Sequence, residues 1–359
     1  FNSMDGRLDK LEQKVEEETL KKLYVAMAGL GSEIKAEDLI TKDEKMLVNK
    51  GNAKRELKLD GIAFMMKKHR FYPEKNIGSH ILGFVGYDGL EEHGRYGLEG
   101  FFDKELFGAR GSIKTERGAG GDLIIINDQE YAKPQDGSDL ILTINRTIQF
   151  TACQKLNEAV LRHGADSGSV IIMEPKTGAI LAMCSYPDYD PNNYNDVLKM
   201  EIYNNQAIFS PYEPGSIFKA ITMAAALDQG KVTPDTTFND TGVVKIANYE
   251  IKNSDQKAHG LVTMVDVLEQ SLNVGAVFAM KKTGEEIFSQ YVKNFGFGEK
   301  TGIELETESQ GNIKNLILEK NNKELNAATA SFGQGIAATP LQMVFAFGAI
   351  ANGGILMKP

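Results

Sequence analysis

Between Glu213 and Gly230 the chain reads E-P-G-S-I-F-K-A-I-T-M-A-A-A-L-D-Q-G, and this stretch restricts the fold more than any other. Pro214-Gly215 forces a turn, strong helix formers follow, and Gln229-Gly230 supplies a glycine stop. From Ile217 to Leu227 nearly every position is apolar or small, with no polar stripe. A helix apolar on all sides belongs in the middle of a domain. Ser216 and Lys219 interrupt it at its start, three residues apart and therefore on one face. A lysine amine so placed can take the proton of a serine nucleophile, provided that burial lowers its pKa. The serine also sits at the positive end of the helix dipole. Taken alone, S-x-x-K describes equally a serine N-cap and a surface lysine, but the apolar helix argues against a solvated lysine.

A chain of 359 residues is long enough for two domains and a sizeable core. Its net charge of −9 is dispersed without long blocks, which argues against nucleic acid as a partner. Cys153 and Cys184 lack metal-ligand spacing and are expected as buried thiols, with a disulfide as the alternative. The five histidines are scattered, so no zinc site and no cofactor is expected. No stretch reaches the roughly 18–20 apolar residues of a membrane span. The chain starts at Phe1 without an initiator methionine and is expected to be a fragment cut at both ends.

Asp5 to about Ala28 reads as an amphipathic helix, and Lys35 to about Asn49 as a second. His80–Gly86 is expected as a strand, and Gly118–Gly121 as a hairpin turn into a strand over Leu123–Ile126. Pro134–Gly137 resembles a linker, so a first domain is placed at 1–137 and a second at 138–359. The second opens with a strand over Asp139–Ile144 and a helix from about Thr147 to Arg162. Ser169–Glu174 and Ala179–Cys184, joined by Pro175-Lys176-Thr177-Gly178, form a hairpin. Gly242–Ile251 and Gly302–Leu305 have strand character. Thr263 caps a helix ending near Gln270, Gly275–Lys282 forms another, and Thr339-Pro340 opens an apolar helix through Ala351. Strands and helices do not alternate as βαβ units, so the fold class is α+β.

Ser271-Leu272-Asn273 lies between two of these helices. Its hydroxyl and amide can point into one cleft, the serine relaying a proton to a leaving amine and the amide holding a substrate carbonyl and the lysine. With S-x-x-K upstream, the pair matches serine acyl-transferases that react with penicillins. Those enzymes carry a third element, K-T-G, on a strand beside the site. The string occurs at Lys176, Lys282 and Lys300, respectively a hairpin turn, a helix end and a turn before a strand, and none fits. The true third element is expected beyond Pro359.

Further matches follow in order. They include Arg70-Phe71-Tyr72-Pro73, Gly83–Gly86, Gly97-Leu98-Glu99, and Gly108 with Gly111, then Pro175–Met183 and Pro191-Asn192. After Tyr212–Lys219 and Ser271–Gly275 come Phe295–Gly298, Phe332-Gly333-Gln334-Gly335, Thr339–Gln342 and Asn352–Gly354. On these the chain resembles the class B, monofunctional penicillin-binding proteins, with spacing closer to the division (septal) type than to the elongation type.

The resemblance implies a non-catalytic pedestal (dimerisation-like) domain followed by a transpeptidase domain with an antiparallel sheet flanked by helices. It implies D,D-transpeptidation of peptidoglycan stem peptides through a Ser216 acyl-enzyme, with Lys219 as base, Ser271 as proton shuttle and Asn273 binding substrate. Arg70 and Glu99 match pedestal positions with structural roles. β-Lactams would acylate Ser216 and stall there. The implied partners are cell-division or elongation proteins and a glycosyltransferase. The implied location is extracytoplasmic, anchored by an N-terminal transmembrane helix absent from this chain. A molecule ending at Pro359 would have an incomplete sheet, half an oxyanion hole and little activity. The rival functions are a serine β-lactamase or D,D-carboxypeptidase, a β-lactam sensor ectodomain, and a catalytically silent division scaffold.

Overall fold

The computed structural model describes residues 39–42, 45–50, 53–56, 70–89, 91–109, 111–113, 116–117, 123–124, 131–317 and 322–359. Contacts divide the chain into two units, Phe1–Arg70 and Phe71–Pro359.

In the first unit β1 (Leu39–Lys42), β2 (Lys45–Lys50) and β3 (Ala53–Glu56) form an antiparallel sheet in that order. Over Leu39–Lys42 and Lys45–Lys50, strands stand where a helix from Lys35 to Asn49 is expected; the rest of that span lies outside the described residues. β-Branched Ile40, Thr41 and Val48 favour a pleated backbone, and β1 pairs with β2 in the register Leu39↔Val48, Ile40↔Leu47. The helix expected over Asp5–Ala28 lies outside the described residues.

The second unit begins with a helical turn, α1 (Ser79–Leu82), and the hairpin β4 (Phe84–Asp88)–β5 (Glu91–Arg95). The single strand expected over His80–Gly86 is thus a turn and a strand. Gly78 and Gly83 bracket the turn at φ of 84° and 76°, a backbone that stops a strand from starting earlier. Two short helices follow, α2 (Gly97–Phe101) and α3 (Asp103–Phe107). Next come four two-residue strands, β6 (Ser112–Ile113), β7 (Glu116–Arg117), β8 (Leu123–Ile124) and β9 (Tyr131–Ala132). β7 pairs with β8 as the hairpin reading expects, and β6 pairs with β9.

Residues 139–144 do not form the expected strand. They run beside residues 180–181, with Thr143 Oγ1 donating to the Ile180 carbonyl and Asn145 N to the Leu181 carbonyl, but no ladder forms. Asn145 caps the long helix α4 (Arg146–His163) by accepting from the amides of Thr147 and Ile148. α4 packs along the antiparallel hairpin β10 (Gly168–Met173)–β11 (Ile180–Tyr186). Gln149 holds that seam, its Nε2 donating to the Met183 carbonyl and its Oε1 accepting from the Met183 amide. The seam brings Cys153 and Cys184 to a Cα separation of 5.5 Å, and they form a disulfide. The expectation of two free thiols is corrected: their distance in sequence hid a contact that helix–sheet packing creates.

Beyond the hairpin lie α5 (Gln206–Phe209), the buried helix α6 (Lys219–Asp228) and β12 (Thr237–Asp240). Gly242–Ile251 is two strands rather than one, β13 (Val243–Ile246) and β14 (Tyr249–Lys252), turned at Ala247 with φ of 51°. β15 (Gly260–Thr263) pairs back to β12. Thr263 and Asp266 make a capping box for α7 (Met264–Glu269), and α8 (Asn273–Thr283) and α9 (Glu285–Asn294) follow. The strand expected at Gly302–Leu305 is a turn, because the Glu308 carboxylate accepts from the amides of Thr301 and Gly302 and from the Thr301 hydroxyl. The remaining helices are α10 (Lys314–Ile317), α11 (Lys323–Ala330) and α12 (Pro340–Ala351). α12 carries the expected Thr339 cap, with Gln342 completing a capping box.

The largest core gathers Phe218 and Ile221 of the central stretch with Val277, Met280, Phe288, Phe297 and Met343. Helix α8 packs on α6, and its Gly275 lies against α7 so closely that a Cβ there would overlap the Val267 side chain. Helix propensity alone would favour Gly275→Ala by about 1 kcal/mol, but overpacking a buried contact costs about 1–3 kcal/mol. Gly275→Ala should therefore lower the urea midpoint, and adding Val267→Ala should relieve the overlap. Unchanged unfolding in Gly275→Ala would remove the close approach as the reason for this glycine.

Candidate active site

Gly215, at φ of 62°, turns the chain out of Pro214 into a 3-10 turn over Gly215–Phe218, which runs directly into α6. Ser216 therefore lies in the first turn of a continuous helical segment. First-turn amides have no intrahelical acceptor, so the Ser216 N–H is available to an oxyanion. Phe218 and Ile221 are fully buried and fix the segment in the core, while Ile217 is half exposed beside Ser216. The expected helix is present, with its opening turn tighter than an α-helix.

Lys219 is 2% exposed despite its charge-bearing side chain. Its Nζ lies 3.1 Å from Ser216 Oγ, 3.0 Å from Ser271 Oγ and 2.6 Å from the Ser271 carbonyl oxygen. Three partners match the three hydrogens of an ammonium; loss of one proton leaves a lone pair facing a hydroxyl. Burial pulls the lysine from 10.5 down to about 8. Desolvation is the physical cause, and it makes the neutral base accessible near physiological pH.

Ser271 closes the loop between α7 and α8 with φ of 53°, a left-handed conformation that costs a non-glycine residue about 1–3 kcal/mol. Its amide donates to the Leu268 carbonyl, and buried Leu272 pins the next residue. This conformation lets both the hydroxyl and the carbonyl of Ser271 reach the lysine. Sequence reasoning anticipated the hydroxyl and missed the carbonyl, since a main-chain contact leaves no residue-type signal.

Asn273 is the first residue of α8, and its Nδ2 donates to the Lys252 carbonyl at 2.9 Å. Sequence reasoning gave it a second task, fixing Lys219, but the lysine's three bonds go to Ser216 and Ser271. Asn273 thus faces the end of β14. Behind it Asn253, 2% exposed, accepts from the Val274 amide through Oδ1 and donates to Asp240 Oδ2 at 2.7 Å. Buried Asp240 also accepts from the amides of Gly242 and His259. This network anchors the start of α8, whose N-cap Leu272 supplies no side-chain bond. Nothing in the sequence distinguishes Asp240 or Asn253 from ordinary turn residues.

None of the three K-T-G strings lies within a strand. Lys176–Gly178 turns the β10–β11 hairpin, Thr283 ends α8 with its hydroxyl on the Ala279 carbonyl, and Lys300–Gly302 forms the turn held by Glu308. Among the described residues no cluster of His, Cys, Asp and Glu could hold a metal ion.

Residues 168–359 match the penicillin binding protein transpeptidase domain, and residues 4–142 the penicillin-binding protein dimerisation domain. Stage V sporulation protein D of Bacillus subtilis is 36% identical over 325 residues, which cover 90% of this chain and 49% of that protein. The peptidoglycan D,D-transpeptidase FtsI of Escherichia coli is 32% identical over 303 residues, 84% of this chain and 49% of that protein. The chain spans about half the length of the curated relatives it matches. Penicillin binding protein 3 of Mycobacterium tuberculosis superposes with a TM-score of 0.70 at 29% identity, over 81% of this chain and 60% of that one. That protein has also been solved in complex with aztreonam.

Proposed function

The chain belongs to the penicillin-binding protein transpeptidase family, and from that premise we propose that it forms the acyl-enzyme of a peptidoglycan D,D-transpeptidase at Ser216. One observation carries the reading. A buried lysine amine with a lowered pKa sits within hydrogen-bond reach of two hydroxyls, one of them in the first turn of the central helix.

In this mechanism neutral Lys219 takes the Ser216 proton as Oγ attacks the carbonyl between the two terminal D-alanines of a stem peptide. The Ser216 N–H stabilises the oxyanion, a contribution of about 10²–10³ per donor in comparable sites. The proton passes through Ser271 to the departing D-alanine amine. An amine from a neighbouring stem then attacks the ester, and the same groups run in reverse. Asn273, at the mouth beside β14, binds the substrate backbone. A β-lactam completes the first half and stalls at the second.

Residues 1–137 serve as a non-catalytic pedestal, a division supported by the dimerisation-domain match over 4–142. The relatives named for sporulation and for FtsI support a role in division-type wall synthesis, with division proteins and a glycosyltransferase as partners. The Cys153–Cys184 disulfide supports an extracytoplasmic location, because such bonds persist in oxidising compartments. An N-terminal membrane anchor belongs to the same proposal; no helix among the described residues is long and apolar enough to cross a membrane.

The test is intact-protein mass spectrometry after incubation with benzylpenicillin, on this chain and on a C-terminally extended version. A single persistent adduct is expected. A protein that binds without any adduct on either version would overturn the assignment.

A further inference from the structure

The Ser216 turn faces a problem that its helix does not solve. α6 is fixed by core packing, but the residues just before Ser216 form no helix of their own, and the turn needs a second support. Ser331–Ala338, between α11 and α12, runs alongside and contacts it on both flanks. Thr222 Oγ1 donates to the Ser331 carbonyl at 2.7 Å, and the Gly215 amide donates to the Gly333 carbonyl at 3.1 Å. The Gly335 amide donates to Glu213 Oε1 at 2.9 Å. Tyr212 and Ala338 exchange amide-to-carbonyl bonds at 3.0 and 2.9 Å. The bonded positions 212, 213, 215 and 222 enclose Ser216.

The segment is itself held. Ala337 exchanges backbone bonds with Asn312 at 2.7 and 2.8 Å, and the Ser331 hydroxyl donates to the Ala328 carbonyl at 2.6 Å. Gly333 is its tightest point. Its φ is 78°, and a Cβ there would overlap the backbone nitrogen and oxygen of Gly215, the residue whose peptide carries the Ser216 N–H. Only a residue without a side chain lets the two main chains meet.

We propose that Ser331–Ala338 is a brace that sets the position of the Ser216 hydroxyl and amide, with Gly333 as its positioning residue. This rests on the reading of Ser216 as nucleophile. The hydrogen bonds of Lys219 go to Ser216 and Ser271 and not to the brace, which acts by fixing the peptide plane between Gly215 and Ser216. A misplacement of about 1 Å at a reacting centre costs about 10² in rate, so that loss is the expected effect of displacing Gly215.

Three variants test it: Gly333→Ala, Glu213→Ala, and Gly284→Ala as control. Gly284 has φ of 89° with no atom within reach of a Cβ, so it carries the same backbone strain without the overlap. Glu213→Ala removes the acceptor of the Gly335 amide without adding bulk, which keeps the test alive if Gly333→Ala does not fold. Two readouts are taken: amide hydrogen exchange over residues 212–219, and acylation by a fluorescent penicillin, separated into non-covalent affinity and acylation rate constant across pH. In Gly333→Ala the exchange should quicken and the rate constant fall about 10²-fold, with affinity and pH midpoint unchanged. Glu213→Ala should shift both readouts in the same direction by less, and Gly284→Ala should shift neither. Equal rate losses in Gly333→Ala and Gly284→Ala would reduce the effect to strain and overturn the brace. Unchanged exchange over 212–219, or faster exchange with an unchanged rate constant, would also overturn it. If the unsubstituted protein forms no adduct, the proposed function fails, and exchange alone decides the brace: quickened exchange in Gly333→Ala upholds it and unchanged exchange overturns it.

Discussion

Ser216→Ala is expected to abolish the covalent benzylpenicillin adduct while leaving the fold intact. The substitution removes one oxygen at the first turn of α6, where Phe218 and Ile221 carry the packing and Ala is a good helix former. Lys219 loses one of its three partners and keeps the hydroxyl and carbonyl of Ser271. The other hydroxyl at the lysine, that of Ser271, should not substitute, because it meets the lysine from a loop and has no first-turn amide of a helix behind it. Ser271→Ala should behave differently. It removes a proton relay and not the nucleophile, so acylation should slow by about 10²–10⁴ and still reach completion. An adduct of wild-type yield in Ser216→Ala, or one mapped by peptide digestion to another residue, would end the assignment.

Lys219 carries the second large effect, on rate and on pH dependence. With a pKa of about 8, about 10% of the amine is neutral at pH 7, against about 0.03% at the ordinary value, a gain of about 300-fold in available base. Acylation should therefore rise with pH through about 8 and level off above it. Lys219→Ala should lose about 10²–10⁴ in rate. Lys219→Arg should lose at least as much, because a guanidinium keeps its proton throughout this range. A flat profile between pH 6 and 9 in the parent protein would exclude the lysine as base.

The same shift has a consequence for stability. The folded pKa lies below the unfolded one, so the unfolded state binds the proton more tightly. Burying Lys219 therefore costs stability below pH 8, and the cost fades as pH rises from about 8 to about 10.5. Lys219→Met should raise stability at pH 7 by about 1–3 kcal/mol while abolishing fast acylation. That gain should shrink at pH 10, which chemical denaturation at the two pH values would show.

The sequence by itself determined the central helix, its buried lysine and the pairing of two serines around it. An apolar run from Ile217 to Leu227 leaves no place for a helix except the core, and a lysine three residues from a serine on such a helix is buried with it. Caps at Thr263 and Thr339 and the β10–β11 hairpin were legible for a similar reason, since their hydrogen bonds close within a few residues. Tertiary structure alone decided features built from distant or main-chain groups. The Cys153–Cys184 bond depends on how α4 lies on β11. The strand expected at 139–144 failed because a strand needs a partner, which its own alternation cannot supply. The left-handed turn at Ser271 aims a carbonyl at Lys219, and Gly333 meets Gly215 from 118 positions further along the chain (333 − 215). Those contacts involve backbone atoms common to every residue type, so only the folded chain, by bringing them within 2.6–3.1 Å, distinguishes them.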